Sequence, residues 1–204
     1  MECLAGSGHD IYHLPGYVRL EADRLGGDAR LMVVEEGPWR LLLPVVIAPV
    51  RVAGEAIEGI FDASSPYGYP APLVVGDPPA TWVLGAVHAL RDRLAEASVA
   101  ALFVRLHPLL PAPRAALAAT GRVVTHGETV WIDLTRSEAE LWSETRATTR
   151  NLVNRARRAG LQVALDDAWA ALDDFVTIYH QTMRDVGAAG WYFFDRDYVA
   201  GLRD

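Results

Sequence analysis

Residues 141–160, LWSETRATTRNLVNRARRAG, hold five arginines (Arg146, Arg150, Arg155, Arg157 and Arg158) against a single acid, Glu144. The segment carries +4 in a chain of formal charge −7, so everything else sums to −11. Arginine keeps its charge at any ordinary pH, and its planar fork meets a carboxylate or phosphate with two parallel hydrogen bonds. One chemistry open to this stretch is therefore an anion site; the other reading is a solvated charged face. Arg146, Arg150 and Arg157 share one side of a helix at spacings of four and seven. Leu141, Thr145, Thr148, Leu152, Ala156 and Ala159 recur at three and four on another side, which predicts one helix through the segment. Thr135 with Glu138, or Ser137 with Glu140, offers a capping box at its start, and Gly160 a stop at its end.

Other residues with chemistry to offer lie upstream. Residues 61–72, FDASSPYGYPAP, combine three prolines, a glycine and the tyrosines Tyr67 and Tyr69 that flank it. No helical or strand period fits, so the stretch reads as a stiff aromatic loop, either a binding element or a surface connection. Arg105 and His107 close an apolar run at 99–106, and polar groups at a strand end are where open α/β sheets place ligands. Asp133 and His107 are the candidates for a general base, with neither assigned.

Several motifs are excluded. There is no G-x-S-x-G, H-E-x-x-H, P-loop lysine motif or paired C-x-x-C. All 19 basic residues are arginine, which rules out lysine chemistry among the residues present. The single cysteine, Cys3, permits no internal disulfide, suits a reducing compartment and sits too near a terminus for a nucleophile. His9 and His13 are four apart but have no third ligand nearby, so no metal site is expected. Arg24-Leu-Gly-Gly27-Asp-Ala29 matches the R-x-x-G-x-A phosphate loop of acetyltransferases in letters only. That loop needs a strand before it and a helix after it, and here the order is reversed.

The elements that must position these groups follow from periodicity. The reading places a helix at 15–25, two apolar strands at 29–35 and 39–47 joined by a hairpin turn at 36–38, and an amphipathic helix at 81–97. Residues 99–106 read as a strand buried on both faces. A short helix at 113–119 follows, then a strand pair at 122–125 and 129–134 turning at His126-Gly127. After the arginine helix come a strand at 161–165 and a helix at 169–186 with Leu172, Phe175, Val176 and Tyr179 inward. Asp195 caps a last helix still running at Asp204. With 204 residues, 51% apolar and 22% charged, the chain has enough apolar content for a real core. It shows no signal peptide, and no apolar run is long enough to span a bilayer. A soluble, cytoplasmic α/β (mixed α+β) protein is the expectation.

The segments DIYHLPGYVRLEA (10–22), SSPYGYPAP (64–72), LFVRLHPLL (102–110), HGETVWIDL (126–134) and 141–163 resemble, in that order, the FemABX-like family. The most specific part is LW-x3-R-x3-R-x4-RA-x2-AGL-x-V. The resemblance implies two tandem GNAT (acyl-CoA N-acyltransferase)-like subdomains, each a mixed sheet flanked by helices, with a substrate cleft between them. By that comparison 1–136 is the first subdomain and 137–204 the opening of the second, as in a truncated chain. It further implies transfer of an acyl or aminoacyl group to an amine of a peptide, peptidoglycan-precursor or small-molecule acceptor. Acyl-CoA or aminoacyl-tRNA would be the co-substrate, with no bound cofactor. Charged tRNA would be a partner, and DNA would not. Arg19 and Arg150 match positions that contact acceptor phosphates in cell-wall members. Arg146 joins Arg150 in the expected anion site, and Tyr67, Tyr69, Arg105 and His107 are expected to line the cleft. This chain carries Ala147, Thr148 and Thr149 where relatives carry more basic residues. The alternative expectation is a non-catalytic half that binds acceptor or tRNA.

Overall fold

The computed structural model describes Leu4 and residues 8–203, so Cys3 and Asp204 lie outside the described residues. The chain divides into two compact units, one of residues 1–125 with 194–204, the other of residues 126–193.

The first unit is built on a mixed five-stranded sheet. Helix α1, Pro15–Leu25, starts with proline at its first turn, where a missing N–H costs nothing, and ends at Gly26 in the left-handed region (φ 64°). Strands β1 (Asp28–Glu36) and β2 (Trp39–Val52) then form the expected antiparallel hairpin, with Asp28 opposite Ile47 and Glu36 opposite Trp39. So a helix precedes and a strand follows the R-x-x-G-x-A letters at 24–29. A Cβ at Gly27 would sit 2.6 Å from the Ile47 carbonyl oxygen, which shows how closely the chain passes β2 there.

Strand β3, Glu55–Ser64, was not foreseen, and it takes Phe61 to Ser64 out of the expected loop. Its turn is Ala53-Gly54, both at positive φ (51° and 92°), a two-residue hairpin geometry usually announced by Asn-Gly or Asp-Gly. β3 pairs with the second half of β2, from Val46 opposite Ser64 to Val52 opposite Glu55. Strand β4, Leu73–Val75, pairs with the first half, Arg40 opposite Val75. Between them, Pro44 is paired only with Leu31 of β1, so β2 has a free edge where a proline can stand without breaking a ladder. Residues 65–72 cross this gap.

Helix α2, Ala80–Glu96, leads to β5, Val99–Phe103, which joins β3 in parallel and gives the order β1-β2-β3-β5. β5 is an edge strand with Phe103 exposed, and not the strand buried on both faces that its apolar run implied. Leu41, Leu43 and Val45 of β2 pack with Ala63 and with Ala86, Val87, Leu90 and Leu94 of α2. Ala116 of α3, Arg114–Thr120, closes that core. Leu42, on the opposite face by strand alternation, meets Leu4 and Leu73, with Leu14 and Leu110 against them. Helix α7, Arg196–Gly201, belongs to this unit; Asp195 caps it, accepting from the Tyr198 N–H at 2.8 Å, and it ends at Gly201 rather than running on to Asp204.

The second unit has a different character. The arginine segment is two helices, α4 (Glu138–Glu144) and α5 (Ala147–Arg158), because Thr145 and Arg146 adopt extended ψ values of 132° and 140°. Ser137 and Glu140 form the capping box, and Gly160 (φ 79°) ends α5. Helix α6 is Leu172–Asp185, and Phe175, expected inward, is exposed. The strands expected at 122–125, 129–134 and 161–165 are absent. Val130, Ile132 and Val163 are 93%, 67% and 102% exposed. A strand needs a neighbour for its N–H and C=O groups, and no strand is described within 126–193 to provide one. None of residues 126–193 is buried. Among the described residues of the whole chain, no helix is long and apolar enough to cross a membrane.

Candidate functional site

The loop at 65–72 is held at nearly every residue. The Ser65 N–H donates to the Phe103 carbonyl at 2.8 Å, and its hydroxyl accepts from the Arg105 N–H at 3.1 Å. The Tyr67 N–H donates to Glu21 Oε2 at 3.1 Å, while the Tyr67 carbonyl accepts from the Tyr17 hydroxyl at 2.9 Å. Gly68 sits at φ 96°, and a Cβ there would come within 2.3 Å of the Tyr12 ring. Here glycine is required twice over, by backbone and by space. Pro66, Pro70 and Pro72 are buried, so the loop's stiffness is packed into the fold as well as written in its sequence.

Two polar groups beneath the loop do this anchoring. Glu21 is fully buried on the α1 face that also carries Val18 and Ala22. Its carboxylate accepts four bonds: from Arg24 Nε (3.1 Å) and Nη2 (2.7 Å), from the Tyr198 hydroxyl (2.6 Å), and from the Tyr67 N–H. Burial alone would raise its pKa, but the Arg24 and Tyr198 bonds outweigh it and hold the carboxyl below the usual range. Burial, followed by the carboxylate beside it, pushes the Tyr198 hydroxyl far up, and burial lifts Tyr17 to about 12. These groups stay in one protonation state near neutrality. Sequence reasoning missed Glu21, although an acid at an i+3 step from Val18 on a helix's apolar side was the available signal.

The second anchor is His13, and a second histidine, His107, braces the neighbouring segment. His13 Nδ1 accepts from the Asp10 N–H at 3.1 Å, which leaves Nε2 to donate to the Ala71 carbonyl at 3.0 Å. Its burial lowers its pKa and keeps it neutral. His107 Nδ1 accepts from the N–H groups of Leu109 and Leu110, so Nε2 carries the proton and donates to Asp10 Oδ2 at 3.0 Å. Both ring nitrogens of both histidines are engaged. His107 is thus a brace for its own loop, with no nitrogen turned to a substrate, and His13 is not placed as a metal ligand. Asp133 accepts from the Thr135 hydroxyl and N–H, and these bonds lower its pKa, which makes it a weaker base.

What the anchored loop presents is aromatic and cationic. Tyr69 lies edge-on to His107 (6.4 Å) and to Tyr12 (6.1 Å), and is 44% exposed. The Arg105 guanidinium stands 4.9 Å from the Phe103 ring and 5.5 Å from the Tyr67 ring. Among the described residues it has neither a carboxylate partner nor a side-chain hydrogen bond. A cation over two rings is held by their electron-rich faces, and its N–H groups, with no acceptor among the described residues, can take a carboxylate or phosphate.

The expected site residues therefore separate. Tyr67, Tyr69, Arg105 and His107 come together around one loop. Arg19 is exposed on α1 and makes no described bond. Arg150 and Arg146 belong to the other unit. There, Arg150 Nη1 donates to the carbonyls of Trp142 (3.3 Å), Ser143 (2.9 Å) and Thr145 (2.6 Å), satisfying the open C-terminal end of α4. Arg146 stands at the N-cap position of α5, and Arg157 lies 5.3 Å over the Trp142 ring. Comparison with protein-family models, curated proteins and solved structures finds no match to this chain.

Proposed function

We propose that the chain binds an anion-bearing amine acceptor and belongs to an N-acyltransferase of the FemABX-like, GNAT type. The observation that carries the binding half of this reading is Arg105, over the rings of Phe103 and Tyr67 without an acid, just beyond the end of the parallel strand β5. That is where open α/β sheets gather ligands. The transfer half is supported by the ordered sequence resemblance and by a mixed sheet flanked by helices. In this reading Arg105 takes the acceptor's carboxylate or phosphate, and Tyr67 and Tyr69 wall the position of its chain. The acyl or aminoacyl donor is acyl-CoA or charged tRNA, and the rate comes from positioning.

A second reading, an acceptor-binding module without chemistry, has one observation in its favour. Neither candidate base is well suited to proton transfer, since His107 has both nitrogens engaged and Asp133 is weakened as a base by its bonds from Thr135. Mass spectrometry separates the two. The protein is incubated with carboxylate- or phosphate-bearing amines and either acetyl-CoA or charged tRNA, beside the Arg105→Ala variant. Acylated amine that is lost in the variant supports the transferase. Saturable amine binding without product supports the module. Neither product nor binding removes Arg105 from the site.

A further inference from the structure

A second recess lies in the first unit, formed by Leu73 and Val74 of β4, Val83 and Leu84 of α2, the 110–113 segment and the Ala115, Ala116 and Ala119 side of α3. Its volume is about 710 Å³, within the range of small-molecule sites. The lining is aliphatic and small, with no aromatic ring, and Arg114 is its one charged side chain. Arg114 donates to the Thr125 hydroxyl at 3.2 Å and has no carboxylate partner among the described residues. Arg24, Arg30, Arg40, Arg91 and Arg93 of the same unit each have one, whereas Arg114, like Arg19 and Arg105, has none among the described residues.

The chemistry of the lining narrows the occupant. A peptide laid in this recess would bury its N–H and C=O groups against a lining made almost wholly of aliphatic side chains. A planar ring would find no aromatic stacking face among the lining residues. An alkyl chain needs no hydrogen bonds, conforms to small side chains, and brings a single charge for a single cation. We propose that this recess binds the tail of a medium-chain aliphatic carboxylate, with Arg114 pairing its headgroup. This assignment stands apart from the transferase reading and uses none of its residues.

Calorimetric titration of the full chain with octanoate, decanoate and dodecanoate, each below its micelle concentration, tests it. Burying each methylene strengthens transfer by about 0.8 kcal/mol, so affinity is expected to rise about fourfold per added carbon. Dodecylammonium should bind at least tenfold more weakly than dodecanoate, and Arg114→Ala should erase most of that preference. Ala119→Trp, at an exposed wall position, should block uptake with the melting temperature unchanged; Ala115→Phe serves if the first variant is unstable. Absence of saturable uptake, affinity independent of chain length, equal binding of amine and carboxylate, or full binding in a folded blocked variant would each overturn the proposal.

Discussion

The two units differ in what their apolar side chains accomplish. In the first, Leu41, Leu42, Leu43, Val45 and Val46, the five aliphatic residues of β2 around Pro44, are at 0–1% exposure; α2 and α3 cover one face, and Leu4, Leu14, Leu73 and Leu110 cover Leu42 on the other. In the second, Leu152, Ile178, Val130 and Val163 are all at least 65% exposed, and no residue of 126–193 is buried. The second unit is poorer in Leu and Val but carries eight aromatic residues, so it does not lack apolar side chains. The first unit has a sheet whose paired edges leave two faces to be covered. The second holds its helices through local bonds: the Ser137–Glu140 box, the Arg136–Glu144 ion pair with one bond of 2.7 Å, and Arg150 on the α4 carbonyls. The contrast also assigns meaning to the arginines. Arg105 lies over two rings and pairs with no acid among the described residues, whereas Arg150 has turned its Nη1 to its own backbone.

The contrast can be attacked first at Glu21. Glu21→Ala leaves Arg24, the Tyr198 hydroxyl and the Tyr67 N–H without their acceptor, and should cost about 3–5 kcal/mol, read as a shift in the urea midpoint. A loss below about 1 kcal/mol would mean the carboxylate is not the anchor described above. The two units are next compared leucine for leucine. Leu43→Ala should cost about 2–5 kcal/mol, and Leu152→Ala should stay within about 0.5 kcal/mol. Similar losses at both positions would erase the distinction. Arg150→Ala should cost about 1 kcal/mol by freeing the end of α4, seen as faster amide exchange at Thr145, with no such change at β2.

The smallest expected effect is a pH dependence. His13 is neutral in the fold with its pKa below the ordinary 6.5, so the unfolded chain binds the proton first as pH falls. Its contribution to stability is complete above about pH 6.5 and is lost as pH drops through the lowered folded value. A His13→Gln variant, though less stable throughout, should show a flatter melting profile between about pH 6.5 and 5; an unchanged slope would mean another group titrates there.

Where a local rule governed, the fold was legible in the letters. Pro15 and Gly26 bound α1, Glu36-Gly37-Pro38 turned the first hairpin, and Asp195 capped α7. The misses share a cause in tertiary context. Nothing in Ala53-Gly54 announced a turn, so β3 went unread, and with it the parallel partner that makes β5 an edge strand. The alternation at 129–134 is strand-like, yet alternation cannot supply a neighbouring strand. The arginine segment keeps helical spacing across Thr145 and Arg146, so its break left no trace in the period. Within the site, Tyr67, Tyr69, Arg105 and His107 were visible as residue types that do chemistry. Glu21 and Asp10 were not singled out, and His13 was weighed only as a metal ligand, because their role is to hold a loop whose path only the folded chain reveals.

The bond between Tyr198 and Glu21 joins residues from opposite ends of the sequence, and it sets an order of events during synthesis. Translation proceeds at about 5–20 residues per second, so the 68 residues from His126 to Phe193 take roughly 3–14 s to appear. Throughout that interval α1, the sheet and the tyrosine loop have been made, yet Glu21 has only Arg24 and the Tyr67 amide to meet its charge. The nascent chain thus holds its first unit unfinished while the second emerges, and α7, made only after the second unit, is the helix that closes the first.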